Sequence, residues 1–336
     1  MNPDKLPFER IARTVLIRRK SESDPKFGCV PAKRPASMLI HYGIVNINKP
    51  RGPTSHQVSA YVQQILGIDK AGHSGTLDPH VTGVLPVALG NGTRIVEGLL
   101  TAGKEYVCLM HLHADISEED LRRTAAAFTG KIKQLPPVKS AVKRQMRFRT
   151  VYYLTILEIN KRDVLFRVGC QAGTYIRKLV HDLGKATGSG AHMAELVRTK
   201  AGPFKDTAMW TLQDLRDAMW YWKEQGDETF LRKVIEPIEH AVSHLPKVWV
   251  MDTTVDTLCH GAQLNVPGIA SVESGIELDQ TVAIMTLKQE LVCLGIARME
   301  SNHMITKEKG LAVKTSKVFM QPGTYPKLTN RPILEK

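Results

Sequence analysis

The sequence lacks paired cysteines, long apolar runs and an apolar leader, and each absence excludes a class of protein. Its 336 residues include five cysteines, widely spaced and never in a C-x-x-C pair. Such spacing supports neither a disulfide framework nor a zinc site. No apolar run approaches the roughly 20 residues of a membrane span, and the N-terminal segment has charges scattered through it, unlike a secretory signal. We therefore expect an intracellular, soluble protein without a metal.

Acidic residues are missing from one segment, residues 128–150, which carries seven Lys or Arg side chains. The whole chain has 46 Lys and Arg against 33 Asp and Glu, a net charge of +13. This surplus favours a polyanionic partner, because each cation that meets a phosphate releases condensed counterions. Pro136-Pro137 and apolar residues interleave with the cations, which favours a shaped, ordered loop over a disordered tail.

The periodicity of apolar residues predicts strands and helices in mixed order. The segment 72–92 is rich in Gly, Thr and Pro and predicts a long loop. Strands without regular β-α-β alternation favour an α+β fold with a mixed, mainly antiparallel sheet. The predicted strands are 43–48, 105–113 and a hairpin of 151–159 with 164–168, and the predicted helices include 54–66, 174–186 and 191–197.

Changes in composition divide the chain into four segments. Residues 1–38 are basic and Pro-punctuated, and we expect this extension to pack on another part of the chain, the C-terminal module being a candidate. Residues 39–245 form the main α+β domain. Residues 246–325 contain short strands with Gly turns and predict a small β-rich module, followed by a tail at 326–336.

Asp78 is the acidic residue best placed for chemistry. Pro79 disfavours helix at Asp78, and a carboxylate within the glycine-rich stretch Gly75–Gly83 can lie open in a cleft. The alternative is an ordinary turn residue, since Asp-Pro is a common turn sequence. Spacing alone does not decide between the two.

Six separated blocks, in one order, resemble the TruB/dyskerin family of pseudouridine synthases, and the C-terminal module resembles a PUA RNA-binding domain. The module's blocks are His260-Gly-Ala-x-Leu-x-x-Pro-Gly-Ile and Val282-Ala-Ile-Met-Thr-Leu. The six are Lys49-Pro50…Ser55, His73-Ser-Gly-Thr-Leu-Asp-Pro-His-Val-Thr-Gly-Val-Leu, Lys104-Glu-Tyr106, Pro136-Pro-x-x-Ser-Ala-x-Lys143, Gly173-Thr-Tyr-Ile-Arg177-x-Leu-x-x-Asp-Leu-Gly and His192-x-x-x-Leu196-x-Arg198-Thr.

The resemblance implies an isomerisation of uridine within RNA, without cofactor or metal. The N1–C1′ bond breaks, the uracil turns, and C5 bonds to C1′. Asp78 matches the essential carboxylate, and two roles stay open for it: adding to the sugar, or acting on it as a base. Both need the ionised form, and Arg177 matches the arginine partner that would favour it.

The resemblance also implies a pocket for a flipped base. Tyr106 matches the tyrosine that stacks on the uracil and is a candidate for removing the C5 proton, while Tyr175, Ile176 and Leu196 match pocket walls. His73 matches a residue that fills the space left by the flipped uridine. Residues expected to contact the RNA are His73, Lys49, Lys139, Lys143, Arg144 and Arg147.

Within the family, the chain most resembles the archaeal dyskerin-type subunit of H/ACA particles. The region 113–121 is short where bacterial stand-alone enzymes carry an insertion, and the N-terminal extension and complete PUA-like module fit the dyskerin branch. The Lys-rich tail of eukaryotic members is missing. This branch implies guide RNA, small protein subunits on the catalytic domain, rRNA and tRNA targets, and a cytoplasmic location.

Two alternatives remain. One is a stand-alone synthase acting on the tRNA T-loop. The other is a non-catalytic RNA-binding scaffold, which predicts loss of Asp78, Tyr106 or Arg177, although all three are present.

Overall fold

The computed structural model describes residues 4–136 and 145–327. The strands are β1 (Val15–Ile17), β2 (Gly43–Lys49), β3 (Ala71–His73), β4 (Thr82–Leu89), β5 (Lys104–Leu112), β6 (Gly130–Gln134), β7 (Arg147–Asn160), β8 (Asp163–Cys170), β9 (Ala191–Ala201), β10 (Phe204–Lys205), β11 (Ile235–Pro237), β12 (Lys247–Val250), β13 (Leu264–Asn265), β14 (Ile269–Glu273), β15 (Thr281–Thr286), β16 (Leu291–Ala297) and β17 (Leu311–Val318). The helices are α1 (Ala36–Tyr42), α2 (Ser55–Leu66), α3 (Val96–Leu100), α4 (Glu118–Ala127), α5 (Ile176–Ala186), α6 (Leu212–Gln225), α7 (Thr229–Val234), α8 (Asp252–Cys259) and α9 (Ser301–Thr306). In the part of the chain that the structure describes, no helix is long and apolar enough to cross a membrane.

The chain forms two compact units. Unit 1 comprises residues 1–11 and 43–236, and unit 2 comprises residues 12–42 and 237–336. The basic extension is therefore divided, with its first 11 residues in unit 1 and the rest in unit 2.

Unit 1 is built on a sheet in the order β11-β2-β4-β9-β5-β8-β7-β6, with β3 on β4 and β10 on β9. β4 and β9 pair in parallel, whereas β2–β4, β5–β9, β5–β8, β7–β8 and β6–β7 are antiparallel. The predicted hairpin is β7 with β8, closed at the pair Asn160 and Asp163. The predicted α+β class with a mainly antiparallel sheet is confirmed.

Two segments of unit 1 differ from the prediction. The expected loop 72–92 contains β4, which is almost entirely buried between β2 and β9 although Pro86 lies inside it. Proline lacks a donor for the ladder, but its carbonyl still accepts the N–H of Ser74. The expected helix 191–197 is part of β9, where pairing with β4 and β5 overrides the helix-forming residues.

Helices α2 and α5 begin within two residues of their predicted starts. The Thr54 hydroxyl accepts the Gln57 N–H at the start of α2, and Ser117 caps α4 in the same way. The inward residues of α5 pack with even-numbered residues of β5 and with β8 in one buried cluster. This cluster lies on the side of the sheet where the candidate site is found.

Unit 2 contains a sheet in the order β1-β14-β12-β15-β16-β17-β13. Its core consists mainly of aliphatic side chains from these strands and from α8. β1, from the N-terminal extension, pairs antiparallel with β14, so Val15 lies opposite Glu273. Buried Arg34 adds a bidentate ion pair with Glu239, both oxygens being 2.8 Å from the guanidinium nitrogens.

Candidate active site

Asp78 lies in the loop between β3 and β4, and α2 holds this loop in place. The Ser55 hydroxyl, fully buried at the start of α2, accepts the Leu77 N–H at 2.8 Å and donates to the Leu77 carbonyl at 3.2 Å. The Gly52 N–H donates to the carbonyl of Pro79. The residues on both sides of Asp78 are thus fixed by hydrogen bonds, while 54% of its own side chain remains exposed.

Lys49 occupies a position that does not fit the predicted RNA contact. It has no exposed surface, and its ammonium donates to the carbonyls of Pro50, Pro79 and Val81 at 2.8–3.1 Å. All three donors are used inside the protein, so none is left for a phosphate. Lys49 instead ties the end of β2 to the Asp78 loop.

Arg198 is a second buried cation that holds this loop. Its Nε donates to the Val84 carbonyl at 2.7 Å and its Nη2 to the Gly75 carbonyl at 3.2 Å. Gly83 allows this close approach: its φ is +100°, and a Cβ there would lie 2.3 Å from the Arg198 carbonyl oxygen. Arg198 is also the cross-strand partner of Tyr106.

Arg177 reaches Asp78 from the first turn of α5, and its Nη2 lies 2.6 Å from Asp78 Oδ2. The start of α5 is fixed by buried Gln134, whose side-chain amide bonds both the N–H and the carbonyl of Tyr175. Arg177 is 59% exposed, so a ligand can reach the ion pair. The structure therefore brings together two predicted residues that lie 99 positions apart in the sequence.

Apolar side chains lie next to this ion pair. Leu77, which precedes Asp78, shares one buried cluster with Ile176 and Leu196, and Tyr106 packs against that cluster. Tyr175 is half-buried at the beginning of α5. The arrangement places a carboxylate with its cationic partner beside an apolar, aromatic wall, as a flat uracil ring would need.

The electrostatic environment keeps two of the predicted residues neutral at pH 7. Burial raises the pKa of the Tyr106 hydroxyl, and the positive charge of Arg198 opposes this only in part. Burial also lowers the pKa of His73 below the usual histidine range, and the charges of Arg198 and His56 lower it further. His73 therefore presents a neutral imidazole from β3.

The predicted RNA contacts are only partly within the described residues. Arg147 begins β7 and is paired with Gln134 of β6. Lys139, Lys143 and Arg144 lie outside the described residues, and their assignment stays a prediction.

Three further residues shape this site without having been predicted as part of it: Ser55, Gln134 and Arg198. Ser55 and Arg198 occur within the blocks that resemble the family, so position in those blocks was the available signal. No sequence signal pointed to Gln134, because its role is to bond the backbone of Tyr175, which lies 41 positions away.

The described residues contain no group of three or more His, Cys, Asp or Glu side chains that could hold a metal ion. Cys108, Cys170, Cys259 and Cys293 are buried with free thiols, as expected for small apolar residues.

Comparison with protein families gives four consecutive matches. Residues 4–59 match the DKCLD (NUC011) domain, residues 63–176 the TruB family pseudouridylate synthase N-terminal domain, residues 177–243 the tRNA pseudouridylate synthase B C-terminal domain, and residues 246–319 the PUA domain. The matched ranges include Asp78, Tyr106 and Arg177.

Curated proteins and solved structures agree with these matches. The chain is 54% identical to the probable tRNA pseudouridine synthase B of Methanopyrus kandleri over 96% of this chain and 95% of the relative. It is 56% identical to the protein of the same name from Pyrococcus abyssi over 95% of this chain and 96% of the relative. A chain in the crystal structure of a Cbf5-Nop10-Gar1 complex superposes with a TM-score of 0.92 at 55% identity, over 97% of this chain and 99% of that one. A chain in the structure of an H/ACA RNP bound to a substrate RNA containing 2′-deoxyuridine superposes with a TM-score of 0.90 at 52% identity, over 97% of this chain and 100% of that one.

Proposed function

Since this chain belongs to the TruB/dyskerin family of RNA pseudouridine synthases, we propose that Asp78 is its catalytic carboxylate and that a guide RNA selects the uridines it isomerises. The observation that carries the first part is the 2.6 Å contact between Asp78 and Arg177 beside the cluster of Leu77, Ile176 and Leu196.

Each proposed role follows from a position in this site. Arg177 orients the Asp78 carboxylate, because its Nη2 lies 2.6 Å from Asp78 Oδ2. Ionised Asp78 then acts on the ribose, either by adding to it or by removing a proton. Cleavage of N1–C1′ frees the uracil with the bonding electrons on N1, and the ring rotates and bonds to C1′ through C5. This bond displaces Asp78 where the carboxylate had added to the ribose, or is accompanied by return of the proton where Asp78 had removed one. Loss of the C5 proton and gain of a proton at N1 complete the isomerisation.

The apolar wall holds the base during this rotation. Tyr106 stacks on the uracil, while Tyr175, Ile176 and Leu196 enclose it. A stacked base cannot enter such a pocket, so the uridine is flipped out, at a cost of a few kcal/mol. His73, neutral at pH 7, fills the space that the flipped nucleotide leaves.

The substrate and partners are proposed from the relatives. Similar solved chains occur in a Cbf5-Nop10-Gar1 complex and in an H/ACA RNP with substrate RNA. We expect this chain likewise to bind guide RNA, with its PUA domain on the guide and small protein subunits on the catalytic domain. The targets would be rRNA and the T-loop uridine of tRNA.

Stand-alone action on tRNA is the second candidate, because similar curated proteins are named probable tRNA pseudouridine synthase B. Conversion of bare tRNA should be compared with conversion of a guide-matched RNA in the presence of guide and partner subunits. We expect the complete particle to convert its matched target much faster than the protein alone. Equally fast, guide-independent conversion of tRNA would contradict the guide-dependent assignment and favour the stand-alone enzyme.

A further inference from the structure

Glu105 is a buried carboxylate that the chemistry above does not use. It lies between Lys104 and Tyr106 in β5, and only 4% of it is exposed. Because successive side chains of a strand point to opposite faces, Glu105 points away from the cluster against which Tyr106 packs. It therefore lies on the back of the strand that carries the base-stacking residue.

Side chains from two other strands reach this carboxylate. The Tyr153 hydroxyl of β7 donates to Glu105 Oε2 at 2.5 Å, and the Thr199 hydroxyl of β9 donates to Oε1 at 2.8 Å. The Lys200 ammonium of β9 lies 3.4 Å from Oε2. Tyr153, Glu105, Thr199 and Lys200, together with Glu9, are called the back-face cluster below.

Tyr153 reaches Glu105 across β8 because the intervening residue is glycine. Gly169 is paired both with Tyr153 and with Glu105. A Cβ at Gly169 would lie 2.2 Å from the Tyr153 ring, so any other residue would displace the tyrosine. The back-face cluster thus crosses four adjacent strands, β7, β8, β5 and β9, at one level.

The pairing of β5 with β9 is irregular at this level. Glu105 lies opposite Lys200, but the next residue, Tyr106, lies opposite Arg198. Thr199 is therefore an extra residue in β9, which makes a β-bulge, and both Thr199 and Lys200 contact the single residue Glu105. A bulge next to a functional site re-aims the side chains beside it.

The N-terminal segment supports the back-face cluster. The Lys200 ammonium, besides approaching Glu105, lies 3.1 Å from Glu9 Oε2, which also accepts the N–H of fully buried Leu6. Burial would raise the pKa of Glu9, but these hydrogen bonds and the Lys200 charge lower it on balance. Lys200 is thus shared between two carboxylates, and its direction is fixed from both sides.

We propose that Glu105 is a positioning residue for the isomerisation: it fixes the bulge at Thr199, and the bulge aims Tyr106 and Arg198 at the Asp78 loop. Arg198 donates to the Gly75 carbonyl of that loop and is the cross-strand partner of Tyr106. A regular ladder continued from the pair of Glu105 and Lys200 would place Thr199 opposite Tyr106 and move Arg198 to a position opposite Val107. This inference rests on the proposed function, because it concerns the stacking residue and the loop of that same site.

The test compares single-turnover conversion at saturating RNA with RNA affinity in three variants of the full chain. Thr199→Val removes one hydroxyl at nearly unchanged volume, Glu105→Gln keeps the acceptor for Thr199, and Glu105→Leu removes every polar contact. Because a misplacement of about 1 Å costs roughly 100-fold in rate, we expect a fall of about 10- to 100-fold for Glu105→Leu and Thr199→Val. Glu105→Gln should retain much of the rate, and RNA affinity should stay within a few-fold throughout.

Asp163→Asn is the matched control. Asp163 is paired with His111 farther along β5 and contacts its imidazole at 2.7 Å, away from the bulge. The variant Asp163→Asn should leave the rate of RNA conversion unchanged. If Thr199→Val and Glu105→Leu lower only the melting temperature and convert RNA at the unaltered rate, the positioning role is overturned and Glu105 is merely structural. If the unmodified chain and Asp163→Asn fail to convert any RNA, the proposed function itself is wrong, so the two failures are distinguishable.

Discussion

Among the residues of unit 1 that the structure describes, three cationic side chains are buried with backbone carbonyls as acceptors: Lys49, Lys104 and Arg198. Lys49 and Arg198 bond directly to the loop that carries Asp78, and the charges of Lys104 and Arg198 influence each other. Positive charge held in a low-dielectric interior acts more strongly than the same charge in water. We therefore expect these residues to contribute to the site through the loop and the electrostatic field and not through contact with RNA.

Replacement of Lys49 distinguishes this role from the predicted RNA contact. Lys49→Met removes the ammonium that donates to the carbonyls of Pro50, Pro79 and Val81, of which only the Pro79 carbonyl keeps a second donor, the Gly52 N–H. We therefore expect the unfolding free energy to fall by about 1–3 kcal/mol and turnover to fall with it. The dependence of RNA affinity on salt should keep its slope, whereas loss of a phosphate contact lowers the slope by about 1. If the salt-dependence slope of Lys49→Met decreased as much as that of Arg147→Gln, the result would support the predicted contact between Lys49 and RNA.

Lys104 gives a pH dependence of stability with a defined sign. Burial lowers its pKa to about 7 from 10.5, and its ammonium donates to the carbonyls of Leu99, Leu100 and Ala102. Between these pH values the unfolded chain binds more protons than the folded chain, so stability rises with pH. Below pH 7 both states are protonated and the full burial cost applies.

The measurement is urea unfolding between pH 6 and pH 10 for the unmodified chain and for Lys104→Met. The difference in unfolding free energy between the two should shift in favour of the unmodified chain as the pH rises. Parallel curves would show that the Lys104 pKa is not lowered by folding.

At the scale of elements, helix α2 and the Asp78 loop act as one piece because Ser55 joins them. Ser55→Ala removes both side-chain bonds to Leu77, and we expect a loss of about 1–3 kcal/mol in unfolding free energy together with lower turnover. Ser59→Ala is the matched control, since buried Ser59 lies one turn later and donates only to the Ser55 carbonyl. Equal turnover of the two variants at a temperature where both are folded would contradict a role for Ser55 in holding the loop.

Local sequence signals predicted the elements whose cap, apolar face or turn lies entirely within their own segment of the chain. The Thr54 cap with the apolar face of α2, and the hairpin of β7 and β8, are of this kind. β9 is different: residues 191–197 contain good helix formers, and only its neighbours β4 and β5 make the segment a strand. The bulge at Thr199 likewise depends on Glu105, which lies 94 positions away, so no local sequence pattern predicts it.

At the scale of the whole molecule, the chain combines a family match over nearly its full length with a net charge of +13. Composition pointed to a polyanion, but the blocks from Lys49 to Arg198 were needed to indicate uridine chemistry. Asp78, taken alone, was better interpreted as a turn residue. Its pairing with Arg177 favours the catalytic interpretation, because a turn residue needs no arginine from a distant helix.

The most direct test of the account is tritium release from RNA labelled at uridine C5, measured for Asp78→Asn. Asp115→Asn is the matched control, because exposed Asp115 pairs with Arg162 at 2.8 Å away from the site. We predict that Asp78→Asn releases no tritium above background while RNA affinity stays within a few-fold, and that Asp115→Asn reacts like the unmodified chain. Retained turnover in Asp78→Asn would contradict the assignment of Asp78 as the catalytic carboxylate.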